Sequence, residues 1–199
     1  MNRILLLYIK VVEKIIESLG TIAMYLVIIT VAIGFTNVVL RYVGQFIGQR
    51  LTSNLVIELQ WYLYSLIFIF GFAYILKHNI NVRVDFWYAD QSPKRKALID
   101  FVGHIVALVP FCILGIVVSI NPILISWGRL PNGDWGTWEL SPDPSGLPRA
   151  PIKTMILVAF ITLLLQAVVE LIRLWAILKD IDELKTQEAR DLETPLRIE

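Results

Sequence analysis

Apolar residues run along the chain in four long blocks, each closed by a short polar or turn-forming stretch. The first, Thr21 to Leu40, carries no charge and one strongly polar residue, Asn37. The second, Leu55 to Leu76, holds Glu58 as its only ionisable group. The third, Ala97 to Trp127, has Asp100 and His104 in its first turns, Pro110 in its middle and Asn121-Pro122 near its end. The fourth, Ile152 to Leu178, places Gln166, Glu170 and Arg173 towards its far end. Each block reaches or exceeds the roughly 20 residues that cross about 30 Å of hydrocarbon. The pattern therefore predicts an all-α membrane protein with transmembrane helices at 20–43, 55–76, 97–127 and 152–178. The third is longer than a crossing requires, which predicts tilt or a protruding end, and Pro110 predicts a kink.

Residues 1–19 follow a different pattern. Tyr8, Val11, Val12, Ile15, Ile16 and Leu19 recur at helical spacing on one face, and Lys10, Glu13, Lys14 and Glu17 take the other. This is an amphipathic helix suited to the membrane interface. The same charges interrupt what would be the apolar core of a cleaved signal. Four spans leave both termini on one side. Lysine and arginine number thirteen in the two terminal segments and the 77–96 loop, against five in the opposite connections. The positive-inside rule then predicts cytoplasmic termini, a cytoplasmic loop at 77–96, a cytoplasmic tail at 179–199 and a periplasmic loop at 128–151. That last loop is rich in Gly and Pro and contains Trp135 and Trp138, whose rings are costly to leave in water. An ordered cap is expected, with Asp143 and Arg149 as its charged members.

Composition narrows the function classes. Hydrophobic residues make up 56% of the 199 and charged residues 18%, outside the globular range in both directions. A formal net charge of +1 with no basic face argues against nucleic-acid binding. The single cysteine, Cys112, sits in an apolar run and excludes an intrachain disulfide or a thiolate metal cluster. Two histidines, His78 near a loop and His104 at a span end, do not read as a haem pair. No Gly-rich phosphate loop, His-Glu-x-x-His motif or serine nucleophile with its base is present, so no enzyme, cofactor or metal site is expected. The paired, broken, polar helices of a self-sufficient transporter are also missing. Small residues four apart, Thr30/Gly34, Gly103/Ala107 and Gly115/Ser119, instead suggest helix packing. The residues point to a supporting membrane subunit; an anchor for a respiratory or other multisubunit membrane complex is the alternative.

Ionisable residues inside a span are the natural candidates for a role, because each is costly there unless paired or hydrated. Arg41 at the end of span one and Glu58 near the start of span two fall at similar depth on a hairpin, and an ion pair between them is expected. On the other side, Asp100 and His104 share one helical face and Glu170 and Arg173 another, which suggests a polar cluster between spans three and four.

Read together, several of these segments resemble the small membrane subunit, DctQ type, of tripartite ATP-independent periplasmic (TRAP) transporters. The marks are Asn37-Val38-Val39-Leu40-Arg41-Tyr42, Glu58 with Trp61-Tyr62, Phe70-Gly71-Phe72-Ala73, Asn81-Val82-Arg83-Val84-Asp85, Asp143-Pro144-Ser145-Gly146-Leu147-Pro148, Lys153 and Leu163-Leu164-Leu165-Gln166. Asn81 stands where many relatives carry histidine. The resemblance implies a sodium-driven importer of organic acids in the bacterial inner membrane, with a large membrane subunit and a periplasmic substrate-binding protein as partners. This chain would be the static, non-catalytic scaffold beside the large subunit's moving elevator domain, in contact with lipid. The resemblance further implies that Arg83 and Asp85 contact the cytoplasmic headgroups or the large subunit, with Asp100, His104, Glu170 and Arg173 on the same side. It also implies that the loop bearing Trp135, Trp138, Asp143 and Arg149 helps dock the binding protein.

Overall fold

Helix α1 runs unbroken from Asn2 to Ile47. At 1.5 Å per residue, its 46 residues extend for about 69 Å, more than twice the hydrocarbon thickness. The expected interfacial segment and the first span are thus one helix. No proline separates them, and the one weak helix former at the junction, Gly20, is held in place by the Tyr74 ring, which fills the space a Cβ would need. The computed structural model describes residues 2–80, 86–179 and 181; Arg83, Asp85 and residues 182–199 lie outside the described residues.

The remaining elements are α2 (Asn54–Lys77), α3 (Pro93–Gly103), a π-helical turn (His104–Leu108), α4 (Val109–Ser126) and α5 (Arg149–Leu178). Four helical stretches are long and apolar enough to cross a membrane: α1, α2, α3 through α4, and α5. No strand forms among the described residues, and one isolated bridge joins Arg129 to Trp135. Pro110 does not break span three. Proline lacks the N–H for an i−4 bond and its ring crowds the carbonyl four residues back, and the wider π turn immediately before it accommodates both. Pro93 opens α3 at the one place in a helix where its missing donor is harmless.

Helix α5 is the hub, in contact with α1, α2, α3, the π turn and α4. Its buried residues include Ala150, Ala159, Ala167 and Ala176, and Ala73 of α2 and Ala97 of α3 are buried too. In a bilayer, lipid tails are as apolar as leucine, so close approach at small residues is what holds helices together. Gly115 follows the same logic, since its missing side chain leaves room for the Phe160 ring. Gly34 faces the Gln60 side chain, whereas nothing lies within 4 Å of where a Cβ on Gly103 would be.

Contacts along the helices give their directions. Glu17 meets Lys77, Gly20 meets Tyr74 and Gly34 meets Gln60, so α1 and α2 are antiparallel. Tyr62 reaches Pro148 and Ala73 packs with Val169, so α2 and α5 run the same way. A straight α1 would then pass α5 in descending order. Instead Tyr8 bonds the Leu165 carbonyl at 3.1 Å and Glu13 bonds Arg173, an ascending pair. The N-terminal part of α1 therefore crosses over α5, burying Ile9, Val12 and Ile16 against Ala73, Val169 and Ala176.

Candidate functional site

Glu58 is the most consequential ionisable group at the end of the bundle that carries the 128–148 loop. It is only 3% exposed, on the second turn of α2. The Ser141 hydroxyl and the Leu147 backbone N–H both donate to its carboxylate. Its interaction with charge comes from Arg149, the first residue of α5. The structure thus turns Glu58 towards the 128–148 loop rather than to Arg41, which is exposed on α1. A carboxylate offers about four acceptor sites. A hydroxyl and an amide from the loop reach two of them where the Arg41 guanidinium was expected.

The loop is fitted closely around this contact. A Cβ on Gly146 would lie 2.6 Å from a Glu58 carboxylate oxygen. The Tyr62 hydroxyl donates to the Pro148 carbonyl, and the Asn54 amide donates to the Pro144 carbonyl at 3.3 Å. Arg149 lies over the Trp61 ring, 5.9 Å from its centroid. Gly128, at φ +102°, brings its carbonyl to the Gly136 amide at 2.7 Å; a side chain there would collide with the Gly136 carbonyl.

A second fastening uses Glu139. Its side chain accepts from Lys153 of α5 and from Ser126 at the end of α4. Its backbone N–H bonds the Ser126 carbonyl at 2.7 Å, and its carbonyl accepts the Arg149 N–H at 2.9 Å. The Lys153 ammonium, with help from the Ser126 hydroxyl, holds the Glu139 carboxyl below the usual carboxylate range. Of the two loop tryptophans, Trp138 packs against Trp127 with ring centroids 5.8 Å apart, while Trp135 is largely exposed. Asp143 is exposed, and its carbonyl accepts the Gly146 N–H at 3.1 Å.

At the opposite end the polar groups tie α1 to its neighbours. Arg173 of α5 donates to Glu13, and Lys77 of α2 donates to Glu17 at 2.5 Å. His78 stands 3.3 Å from the same Glu17 carboxylate. Glu170, nearly fully buried, accepts from the equally buried Gln166 one turn earlier. Asp100 accepts the Tyr88 hydroxyl at 2.5 Å, and the His104 ring nitrogen Nδ1 lies 2.6 Å from the Asp100 carbonyl. Arg173 thus bonds towards α1, and Asp100 towards the 77–96 connection.

Sequence reasoning missed Ser141, Glu139 and Glu13 as bonded partners. Glu13 and Glu17, four apart, were legible only as the polar side of an amphipathic helix, and the cations that take them lie far along the chain.

The polar groups at the two ends of the bundle are fastenings between helices and loop, with no group of three or more metal-ligating side chains among the described residues. No curated protein and no solved structure matches the chain. Residues 30–177, well over half of the chain, match the family described as tripartite ATP-independent periplasmic transporters, DctQ component, and the chain belongs to that family.

Proposed function

We propose that this DctQ-type chain is a static, non-catalytic scaffold that holds the large membrane subunit of a sodium-driven TRAP importer of organic acids. On this reading both termini are cytoplasmic, the membrane is the bacterial inner membrane, and the 128–148 loop faces the periplasmic binding protein.

The observation that carries the reading is the way loop and arm are bonded back to the bundle. Ser141 to Glu58 spans 83 positions, Lys77 to Glu17 spans 60, and Arg173 to Glu13 spans 160. Side chains that close such long stretches of chain, around an α5 whose buried face carries Ala150, Ala159, Ala167 and Ala176 at close contacts, favour one fixed arrangement over alternating ones. An elevator needs a wall that does not move with it. The outer faces of α1, α3 and α4 present apolar side chains such as Phe35, Val102 and Val118, which suit lipid or a neighbouring membrane subunit.

Reconstitution tests this directly. Proteoliposomes containing both membrane subunits, with the binding protein outside and an inward sodium gradient, are expected to accumulate a labelled organic acid. The large subunit without this chain should accumulate markedly less. Accumulation by this chain alone would overturn the scaffold reading.

A further inference from the structure

We infer that the N-terminal arm of α1 is a binding surface for anionic phospholipid headgroups in the leaflet that it crosses. The argument starts from how the arm's residues are distributed around the helix, at about 100° per residue. Ile9, Val12 and Ile16 form one stripe, buried against α2 and α5. Glu13 and Glu17 follow on one side of it, each engaged by a cation of the bundle: Arg173 for Glu13, Lys77 for Glu17. Next round the helix come Arg3, Lys10 and Lys14, spaced seven and four apart and all exposed. Beyond them lies a second apolar stripe, Ile4, Leu7, Val11 and Ile15, also exposed.

The acids that would ordinarily neutralise these cations are engaged by the bundle, Glu13 by Arg173 and the half-exposed Glu17 by Lys77, and no carboxylate among the described residues bonds Lys10 or Lys14. What faces outward is a row of three positive charges beside a row of four aliphatic side chains. Water is a poor environment for the aliphatic row, and hydrocarbon is a poor one for the cations. A headgroup boundary suits both: aliphatic side chains enter the acyl region while ammonium and guanidinium groups meet phosphate. Positive charge selects anionic over zwitterionic lipid, and its three carriers lie along a single helix face. This inference does not depend on the scaffold reading.

The test is native mass spectrometry of the full chain released from nanodiscs of equal phosphatidylglycerol and phosphatidylcholine. The wild type is expected to retain phosphatidylglycerol in excess. Each cation removed should lower that enrichment by up to about fivefold, so Arg3→Gln with Lys10→Gln and Lys14→Gln should abolish it. The single Lys10→Glu variant, which leaves every described bond of the arm in place, should lower it alone. A control removing three exposed cations elsewhere, Arg41→Gln with Arg50→Gln and Arg129→Gln, should keep it. Unchanged enrichment in the arm variants, or equal loss in the control, would overturn the inference. So would an enrichment that disappears once the large subunit is bound, because the arm would then be covered by protein.

Discussion

The Glu58 carboxylate of α2 accepts the backbone N–H of Leu147, 89 positions further along the chain. One acidic side chain thereby fixes where the loop between α4 and α5 returns to the bundle. Truncating it leaves the Leu147 amide and the Ser141 hydroxyl without their acceptor, and unmade bonds at a buried position are the expensive kind. Glu58→Ala is expected to lower the melting temperature of the purified protein and to open the loop to limited proteolysis. Glu58→Gln keeps an acceptor oxygen and should lose less. Equal melting and cleavage in all three proteins would show that the contact does not hold the loop.

Arg173 and Glu13 offer a sharper measurement, because both side chains are largely buried, 9% and 18% exposed. Removing Arg173 takes this cation from the Glu13 carboxylate, at a cost of about 3–5 kcal/mol, a penalty that removing Glu13 as well relieves. Arg173→Met and Glu13→Gln should each destabilise strongly, and the double variant much less than their sum. Denaturation of the four proteins in one detergent reads this out. Additive losses would mean that the arm is held by Ile9, Val12 and Ile16 without help from the ion pair.

How far the sequence foretells such contacts depends on whether the signal is local. Four spans were legible because an apolar run long enough to cross a bilayer is visible in itself. Depth was legible too: Arg41 and Glu58 do lie near the same end of a hairpin. Depth fixes only one coordinate, however, and the direction in which Glu58 points is set by packing against Ser141 and Leu147, which are far away along the chain. Continuity of α1 was hidden for a related reason. The change from an amphipathic to an apolar pattern at residue 20 reads as a boundary between two segments, whereas the backbone stays helical through Gly20, where the Tyr74 ring takes the space of a side chain. The cap was expected from its turn formers and tryptophans; Trp138 packs against Trp127, while Trp135 is largely exposed. The ties through Glu139 were not expected, because a glutamate in a loop looks solvated until its lysine is known.

Gly115 allows a test of helix packing apart from charge. A Cβ there would collide with the Phe160 ring, which belongs to α5. Inserting bulk into a filled contact costs about 1–3 kcal/mol. Gly115→Leu should lower thermal stability by that order, and adding Phe160→Ala should restore part of it. Gly103→Ala is the control, since nothing lies within 4 Å of that position. A Gly115→Leu protein that melts like the wild type would show that α4 and α5 separate freely at this contact.

The fastening through Glu139 carries a pH dependence whose sign follows from its environment. Lys153 and Ser126 favour the charged carboxylate and hold its pKa below the usual range. In the unfolded chain the same carboxyl titrates at an ordinary value. A carboxyl with a depressed folded pKa stabilises the fold fully above the ordinary range, and that stabilisation disappears as pH falls through the folded value. Glu139→Gln removes the titration and retains a hydrogen-bond acceptor. The stability difference between wild type and variant is therefore expected to be constant near neutral pH and to shrink steadily on acidification. Because the side chains of Lys153 and Glu139 are 38% and 37% exposed, the difference should be modest and should weaken with added salt. Tryptophan emission is a suitable probe, with Trp127 and Trp138 packed at a tilt beside the contact. A difference that persists unchanged into acid would mean that the Glu139 charge contributes nothing to it.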